Sequence, residues 1–279
     1  MVMLRVFLTA AVLCACTVSV QAAAERGCYG ARGIDTKRVN GYVISAKAFP
    51  DQKKFIDECM AVIKDAKGET VFSTHDHGIE ILPISGEDIN GDGQPDAVIE
   101  GYSGGAHCCW TYWIVSLGMH PRLVARIYNE RDLAFTKERN GQVLIQTLDG
   151  RFDYFDDLCH ACTVFPSVYL RLHDDHLEDV GPDFWSKYQE EIDNANKLLT
   201  LEVLSRFRMG NKKDTVNFEE MKPVVLSVVL AYLYGGRPVQ AWKSLDEMWP
   251  PQDKVRIKKL ILATRGTGFA TRPDESENK

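Results

Sequence analysis

The chain has 279 residues, 45% of them hydrophobic and 26% charged, with a formal net charge of −6. That is an ordinary globular balance, long enough to bury a core that does not depend on metals or disulfides merely to form. The excess of acidic residues, 39 against 33 basic ones, argues against a general nucleic-acid binder, which needs a basic face for phosphates.

Residues 1–24 have the order of a secretory signal peptide. Arg5 supplies the positive charge, residues 6–20 are apolar, and Gln21-Ala22-Ala23-Ala24 offers small residues for cleavage ahead of Glu25. The apolar run is short for a membrane anchor, and no later run is long enough to span a bilayer. The expected location is therefore periplasmic or secreted. As an alternative, Leu13-Cys14-Ala15-Cys16 has the form of a lipobox and would tether a lipoprotein at Cys16. Beyond the signal lie Cys28, Cys59, Cys108, Cys109, Cys159 and Cys162, an even count that fits disulfides in an exported protein.

Residues 25–50 are Gly-rich and read mostly as loop. Residues 51–67 place Phe55, Ile56, Cys59, Val62 and Ile63 at helical spacing, with Gly68 as a stop. A bridge from Cys28 to Cys59 would pin the N-terminal segment to this helix. From Ile79 the apolar period changes to two, and strands are expected around Ile79 and Ile81, at 97–99, 110–115, 123–128, 143–147 and 168–172. Asn140-Gly141 marks a hairpin. Trp110, Tyr112 and Trp113 cannot all face inward on one strand, so one face is expected to present an exposed aromatic patch. Helices follow at 182–209, with Asp183 as a cap and Gly210 as a stop, and at 218–234, 238–248 and 253–264. The helix–Gly235-Gly236-Arg237-Pro238–helix unit resembles one tetratricopeptide-type hairpin, but repeat arrays need several units, so packing of these helices on each other and on the sheet is expected. The fold class is α+β: a β-rich domain over 25–180 with an N-terminal helix, a helical region over 181–271, and a polar tail over 272–279.

Chemistry concentrates first at Asp88-Ile89-Asn90-Gly91-Asp92-Gly93-Gln94-Pro95-Asp96. Calcium is a hard cation that takes six to eight oxygens. Here Asp88, Asn90, Asp92 and Asp96 recur at alternate positions, Gln94 can add its backbone carbonyl, and Gly91 and Gly93 let the chain curl. An EF-hand would need a bidentate Glu where Ile99 stands, and a helix where a strand is expected. The segment instead resembles the FG-GAP/VCBS-type calcium-loop repeat of integrin-like β-propellers. That resemblance implies calcium held by Asp88, Asn90, Asp92 and Asp96 with the Gln94 carbonyl, in a loop between two strands. It covers about residues 79–101, and the loop occurs once, so a complete propeller is not expected.

The second concentration is Gly104-Gly105-Ala106-His107-Cys108-Cys109, answered later by Cys159-His160-Ala161-Cys162. The combined pattern resembles exported bacterial proteins with a Gly-Gly-x-His-Cys-Cys segment after the calcium loop. Two disulfides joining Cys108 and Cys109 to Cys159 and Cys162 are the leading expectation. A soft-metal site would instead combine these thiolates with His107 and His160, with His75 and His77 as further imidazoles. Redox chemistry at the Cys159–Cys162 motif is the third. Asp149, Asp153, Asp156, Asp157, Asp174 and Asp175 form no carboxylate pair fixed by spacing. No His-Glu-x-x-His or Walker-type loop is present. The sequence thus points to a non-enzymatic, calcium-binding structural or interaction protein of the cell envelope. Its expected partner is a protein or an envelope polysaccharide, with no nucleic acid. A metal-binding or redox protein built on the cysteine cluster is the alternative.

Overall fold

The computed structural model describes Cys28 and residues 36–48, 59–105, 109–210 and 215–266. The signal segment with Cys14 and Cys16, the pair His107 and Cys108, and the tail over 272–279 lie outside the described residues. The architecture is α+β, with three four-stranded antiparallel sheets followed by helices.

Short turns between β-branched runs build the first sheet, in the order β1 (Thr36–Val39), β2 (Tyr42–Ala48), β3 (Cys59–Lys64), β4 (Thr70–Asp76). Two expectations are corrected here. Residues 36–48 are a hairpin rather than loop: Asn40 and Gly41 both take left-handed φ, 48° and 83°, as a two-residue type I′ turn requires. The described end of the expected helix, Cys59–Lys64, is the strand β3, paired with both β2 and β4. Cys59, Val62 and Ile63 fit a helical period, but Ala61 and Ile63 also fit a period of two, and pairing on both edges decided the outcome.

The second sheet runs β5 (Gly78–Ile81), β6 (Asp96–Tyr102), β7 (Trp110–Ser116), β8 (Arg122–Asn129); the third contains β9 (Ala134–Lys137), β10 (Val143–Leu148), β11 (Ser167–His173) and β12 (His176–Asp179), again in chain order. The second sheet is buried on both faces. Ile79, Ile81, Ile99, Trp113 and Val115 pack with Ile44, Ala61 and Ile63 of the first sheet. Their neighbours Val98, Tyr112 and Ile114, on the opposite side of each pleat, pack with Val143, Ile145 and Val168 of the third. The exposed aromatic patch is therefore not found: Tyr112 is 0% exposed and Trp113 3%, because a sheet covers each face.

After a 3₁₀ turn at Gly181–Phe184 come α1 (Trp185–Asn196), α2 (Leu201–Arg208), α3 (Thr215–Tyr234), α4 (Pro238–Met248) and α5 (Lys254–Arg265). The single helix expected over 182–209 is two. The break falls where Thr200 leaves helical geometry and its hydroxyl accepts the Val203 N–H, capping α2. Asp183 caps nothing; Phe184 precedes α1 without a side-chain cap. α3 packs on α1, α2, α4 and β11. Its residues Val225, Leu226, Val228, Val229, Leu230 and Ala231 are buried around the whole circumference, as in a central helix. One apolar cluster continues from the second sheet through the third into these helices, across residue 180. No helix among the described residues is long and apolar enough to cross a membrane.

Candidate metal centre and cysteine turn

The acidic loop connects β5 to β6 and is closed at its base by the backbone. Gly86 N–H donates to the Asp96 carbonyl at 2.7 Å, and Asp96 N–H to the Glu87 carbonyl at 2.8 Å. Within it, Gly91 and Gly93 take φ of 77° and 80°, the left-handed turns that only glycine adopts without strain. Asp88 accepts the N–H groups of Gly91 and Gly93 at 2.7 and 2.9 Å. Asp92 accepts the Gln94 N–H at 2.8 Å and the Ser116 hydroxyl at 3.0 Å. Burial pushes the Asp92 carboxyl up, but these bonds, with Asn90 and Arg122, hold it below the ordinary carboxylate value.

Asp96 stands apart. It is 0% exposed. Its Oδ2 accepts from the N–H groups of Ile89 and Asn90 at 2.7 and 3.3 Å, so the carboxyl faces the inside of the loop. Its Oδ1 is buried with no hydrogen-bond partner among the described residues. Burial, reinforced by the charges of Asp92 and Asp88, pushes this carboxyl up to about 6. A buried carboxylate oxygen without a donor costs free energy unless a proton or a cation satisfies it. As arranged, no group of three Asp, Glu, His or Cys side chains among the described residues converges on one metal position. Asp88, Asn90, Asp92 and Asp96 are nonetheless brought together in one loop, as the spacing implied.

The loop is gripped from two sides, which the sequence did not reveal. From the first sheet, Lys37 Nζ donates to the carbonyl of Pro83 at 2.8 Å and to that of Ser85. From the third, the turn between β11 and β12 meets Asn90. Asp174 N–H donates to the Asn90 carbonyl at 2.9 Å, and Asn90 Nδ2 donates to the Asp174 carbonyl at 3.0 Å. Asp174 takes a left-handed φ of 53° to do so.

The cysteines pair differently from the leading expectation. Cys28 and Cys59 are joined, with Cα atoms 5.4 Å apart, as anticipated, although Cys59 lies on a strand. Cys159 is joined to Cys162, not to Cys108 or Cys109, with Cα atoms 5.0 Å apart. Cys109 is also disulfide-bonded, and its partner is outside the described residues. The correction has a simple origin: the 3₁₀ turn at His160–Cys162 folds Cys162 N–H back onto the Cys159 carbonyl at 2.8 Å, so the nearest sulfur to each is the other. Paired in this way, neither cysteine offers a thiolate to a soft metal.

The two cysteine segments still lie at one end of the sheets. Trp110, next to Cys109, pairs with Asn129 at the end of β8, and Arg131 just beyond reaches His160 Nε2 at 3.4 Å. His160 Nδ1 meets Asp153 at 2.8 Å. His75 and His77 bracket the end of β4, and the His77 ring packs against Gly104, where an added Cβ would lie 2.6 Å away.

A pair of acids that spacing did not single out is also visible. Glu80 and Glu100 are directly opposed on β5 and β6 and line an open cleft of about 630 Å³ together with Leu133 and Phe135. Tyr112 donates its hydroxyl to Glu100 at 2.7 Å and accepts the Leu133 N–H at 2.8 Å.

Compared with known proteins, the chain matches no family model, no curated protein and no solved structure.

Proposed function

We propose that this chain is an exported, calcium-stabilised structural or interaction protein of the cell envelope, with the ion held in the loop at 88–96. The observation that carries the reading is Asp96. It is a fully buried carboxylate turned into a loop that already holds Asp88, Asn90 and Asp92, with one oxygen left without a donor. A divalent cation with oxygen ligands is the group that would satisfy it while offsetting the repulsion among three carboxylates. The ligands would be Asp88, Asn90, Asp92 and Asp96, with the Gln94 carbonyl. Support for the FG-GAP/VCBS-type resemblance comes from the loop's place between consecutive strands of an antiparallel sheet.

The consequence of binding is structural. The loop meets Asp174 of the third sheet, and Lys37 of the first holds the carbonyls of Pro83 and Ser85 just ahead of it, so an ion that stiffens it would brace three sheets at once. Export is supported by the signal-like N-terminus and by cysteines held as disulfides. The partner class is a protein or an envelope polysaccharide.

The test is calorimetric titration of the full chain with calcium after chelator treatment. One ion per chain is expected, with binding lost in Asp92→Ala. Absence of calcium binding by the unaltered chain overturns the reading.

A further inference from the structure

We propose that Cys159-His160-Ala161-Cys162 is a thiol–disulfide exchange site that oxidises a dithiol in a partner protein or peptide. The proposal is independent of the calcium loop.

Four observations carry it. Both Cys159 and Cys162 are exposed, so an incoming thiolate can reach the disulfide. The pair closes a turn with a sequence separation of 3 and joins no two elements of the fold, whereas Cys28–Cys59 spans 31. A loop this short removes less entropy from the unfolded chain than the longer one, so the bond is the weaker staple of the two. The turn is also closed by the backbone bond from Cys162 N–H to the Cys159 carbonyl at 2.8 Å. Opening the disulfide therefore leaves the two sulfurs near each other. Finally, the approach to the motif is strained: Tyr154, Asp156 and Asp157 hold φ of 50°, 51° and 64°, a region that non-glycine residues enter at a cost and that clusters at working sites.

The side chains around the turn suit the chemistry. A guanidinium can only donate, so Arg131 at 3.4 Å makes His160 Nε2 an acceptor and leaves Nδ1–H to donate to Asp153. The Arg131 guanidinium lies 3.6 Å from the Phe165 ring centroid, which fixes it there. A permanent cation is thus coupled to the imidazole between the two cysteines. A guanidinium near a disulfide favours a leaving thiolate and makes the pair more oxidising, and the Asp153 carboxylate on the same imidazole opposes part of that effect. Tyr154, 57% exposed and in ring contact with His160, offers a flat apolar surface to a peptide lying across the turn.

The step balances as follows. A partner thiolate attacks one Sγ of the pair, forming a mixed disulfide and releasing the other cysteine as thiolate. The second partner thiolate attacks the mixed disulfide, forming the partner's own disulfide and releasing the first cysteine. Two electrons pass from the partner dithiol to the Cys159–Cys162 disulfide, and the two partner protons end on Cys159 and Cys162. A small disulfide such as oxidised glutathione returns the pair to its starting state by the reverse exchange.

The experiment equilibrates the full, undenatured chain with reduced and oxidised glutathione at graded ratios. Alkylation and mass spectrometry then read the 159–162 peptide separately from the Cys28–Cys59 pair. A synthetic peptide carrying two reduced cysteines is offered in parallel. The expected result is reversible reduction of Cys159–Cys162 while Cys28–Cys59 stays oxidised, and one equivalent of peptide disulfide per chain. Cys159→Ser abolishes the peptide oxidation and accumulates glutathione on Cys162. Arg131→Gln and His160→Gln lower the equilibrium constant for reduction by about tenfold, a readout that packing alone does not move. Resistance of the 159–162 pair to all glutathione ratios, or a constant unaltered in both Arg131→Gln and His160→Gln, overturns the proposal.

Discussion

Asp96 Oδ2 accepts the Ile89 N–H at 2.7 Å across the acidic loop, while Oδ1 of the same carboxyl is buried without a donor among the described residues. One oxygen organises the loop, and the other is the one the proposed ion would satisfy. The loop is thereby pre-shaped by its own hydrogen bonds.

Calcium at hundredfold excess over its dissociation constant stabilises a one-site protein by about 2.7 kcal/mol. For a chain of this size that raises Tm by about 5 °C. Thermal melts in calcium and in chelator are expected to differ by that amount in the unaltered chain and to coincide in Asp92→Ala and Asp96→Asn. Melts of Asp92→Ala that keep the full difference would remove the loop from the account.

Gly101 marks the contact between the first and second sheets. A Cβ there would lie 2.6 Å from Asp76 Oδ2 and 2.6 Å from the Trp113 ring. Gly101→Ala is expected to cost about 1–3 kcal/mol through displacement of Trp113. Denaturant unfolding followed by tryptophan fluorescence measures both the loss and the altered environment of the ring.

Lys222 and Asp156 form an ion pair at 2.7 Å with both side chains only 8% exposed, joining α3 to the segment before the cysteine turn. Asp156→Asn leaves the ammonium buried and is expected to cost about 3–5 kcal/mol. Adding Lys222→Met recovers at least half, which separates a stranded charge from lost packing in chemical denaturation.

The same pair sets an acid limit. Burial pushes the Asp156 carboxyl up, but bonds from Arg256 and Lys222 prevail and hold it below 3.8. A carboxyl depressed in the folded state contributes stability above its unfolded value and loses it as pH falls through the depressed one. Stability of the unaltered chain is therefore expected to drop as pH falls below 3.8, and that component is absent from Asp156→Asn. Urea midpoints measured across this range test the sign.

The Cys28–Cys59 and Cys159–Cys162 disulfides are expected to differ as staples. Loss of Cys28–Cys59, with a separation of 31, costs about 3–4 kcal/mol on chain-entropy grounds, and loss of Cys159–Cys162, with a separation of 3, about 2 kcal/mol. Unfolding of Cys28→Ser and Cys162→Ser under one set of conditions compares them. A larger loss for Cys162→Ser would make that bond a structural clasp.

Much of the fold was legible along the chain. The strands β5 to β8, β10 and β11 and the helices α3 to α5 carry their own periods and stops, and Gly236 with φ of 73° ends α3 where Gly235-Gly236 indicated, whereas β9 carries no such signal. The failures share a cause. β3 has apolar residues that fit two periods, and only its pairing with β2 and β4 chooses between them. Asn40-Gly41 carries a hairpin signal as good as Asn140-Gly141, but its flanks lie in a Gly-rich stretch that reads as loop. The cysteine pairing failed because pairing depends on local turn geometry, and a 3₁₀ turn places Cys162 back beside Cys159.

By itself, the sequence determined which residues form the acidic loop, because alternate oxygens and two glycines are a local property of nine consecutive positions. It determined the α+β class and the helical end of the chain for the same reason: period and stop signals act over a few residues. Only the tertiary structure decided what surrounds them. That the loop is braced by Lys37 on one side and Asp174 on the other, that Tyr112 and Trp113 are both buried, and that Arg131 reaches His160 all depend on how the sheets stack. These contacts join positions far apart in the chain, and no local spacing records them.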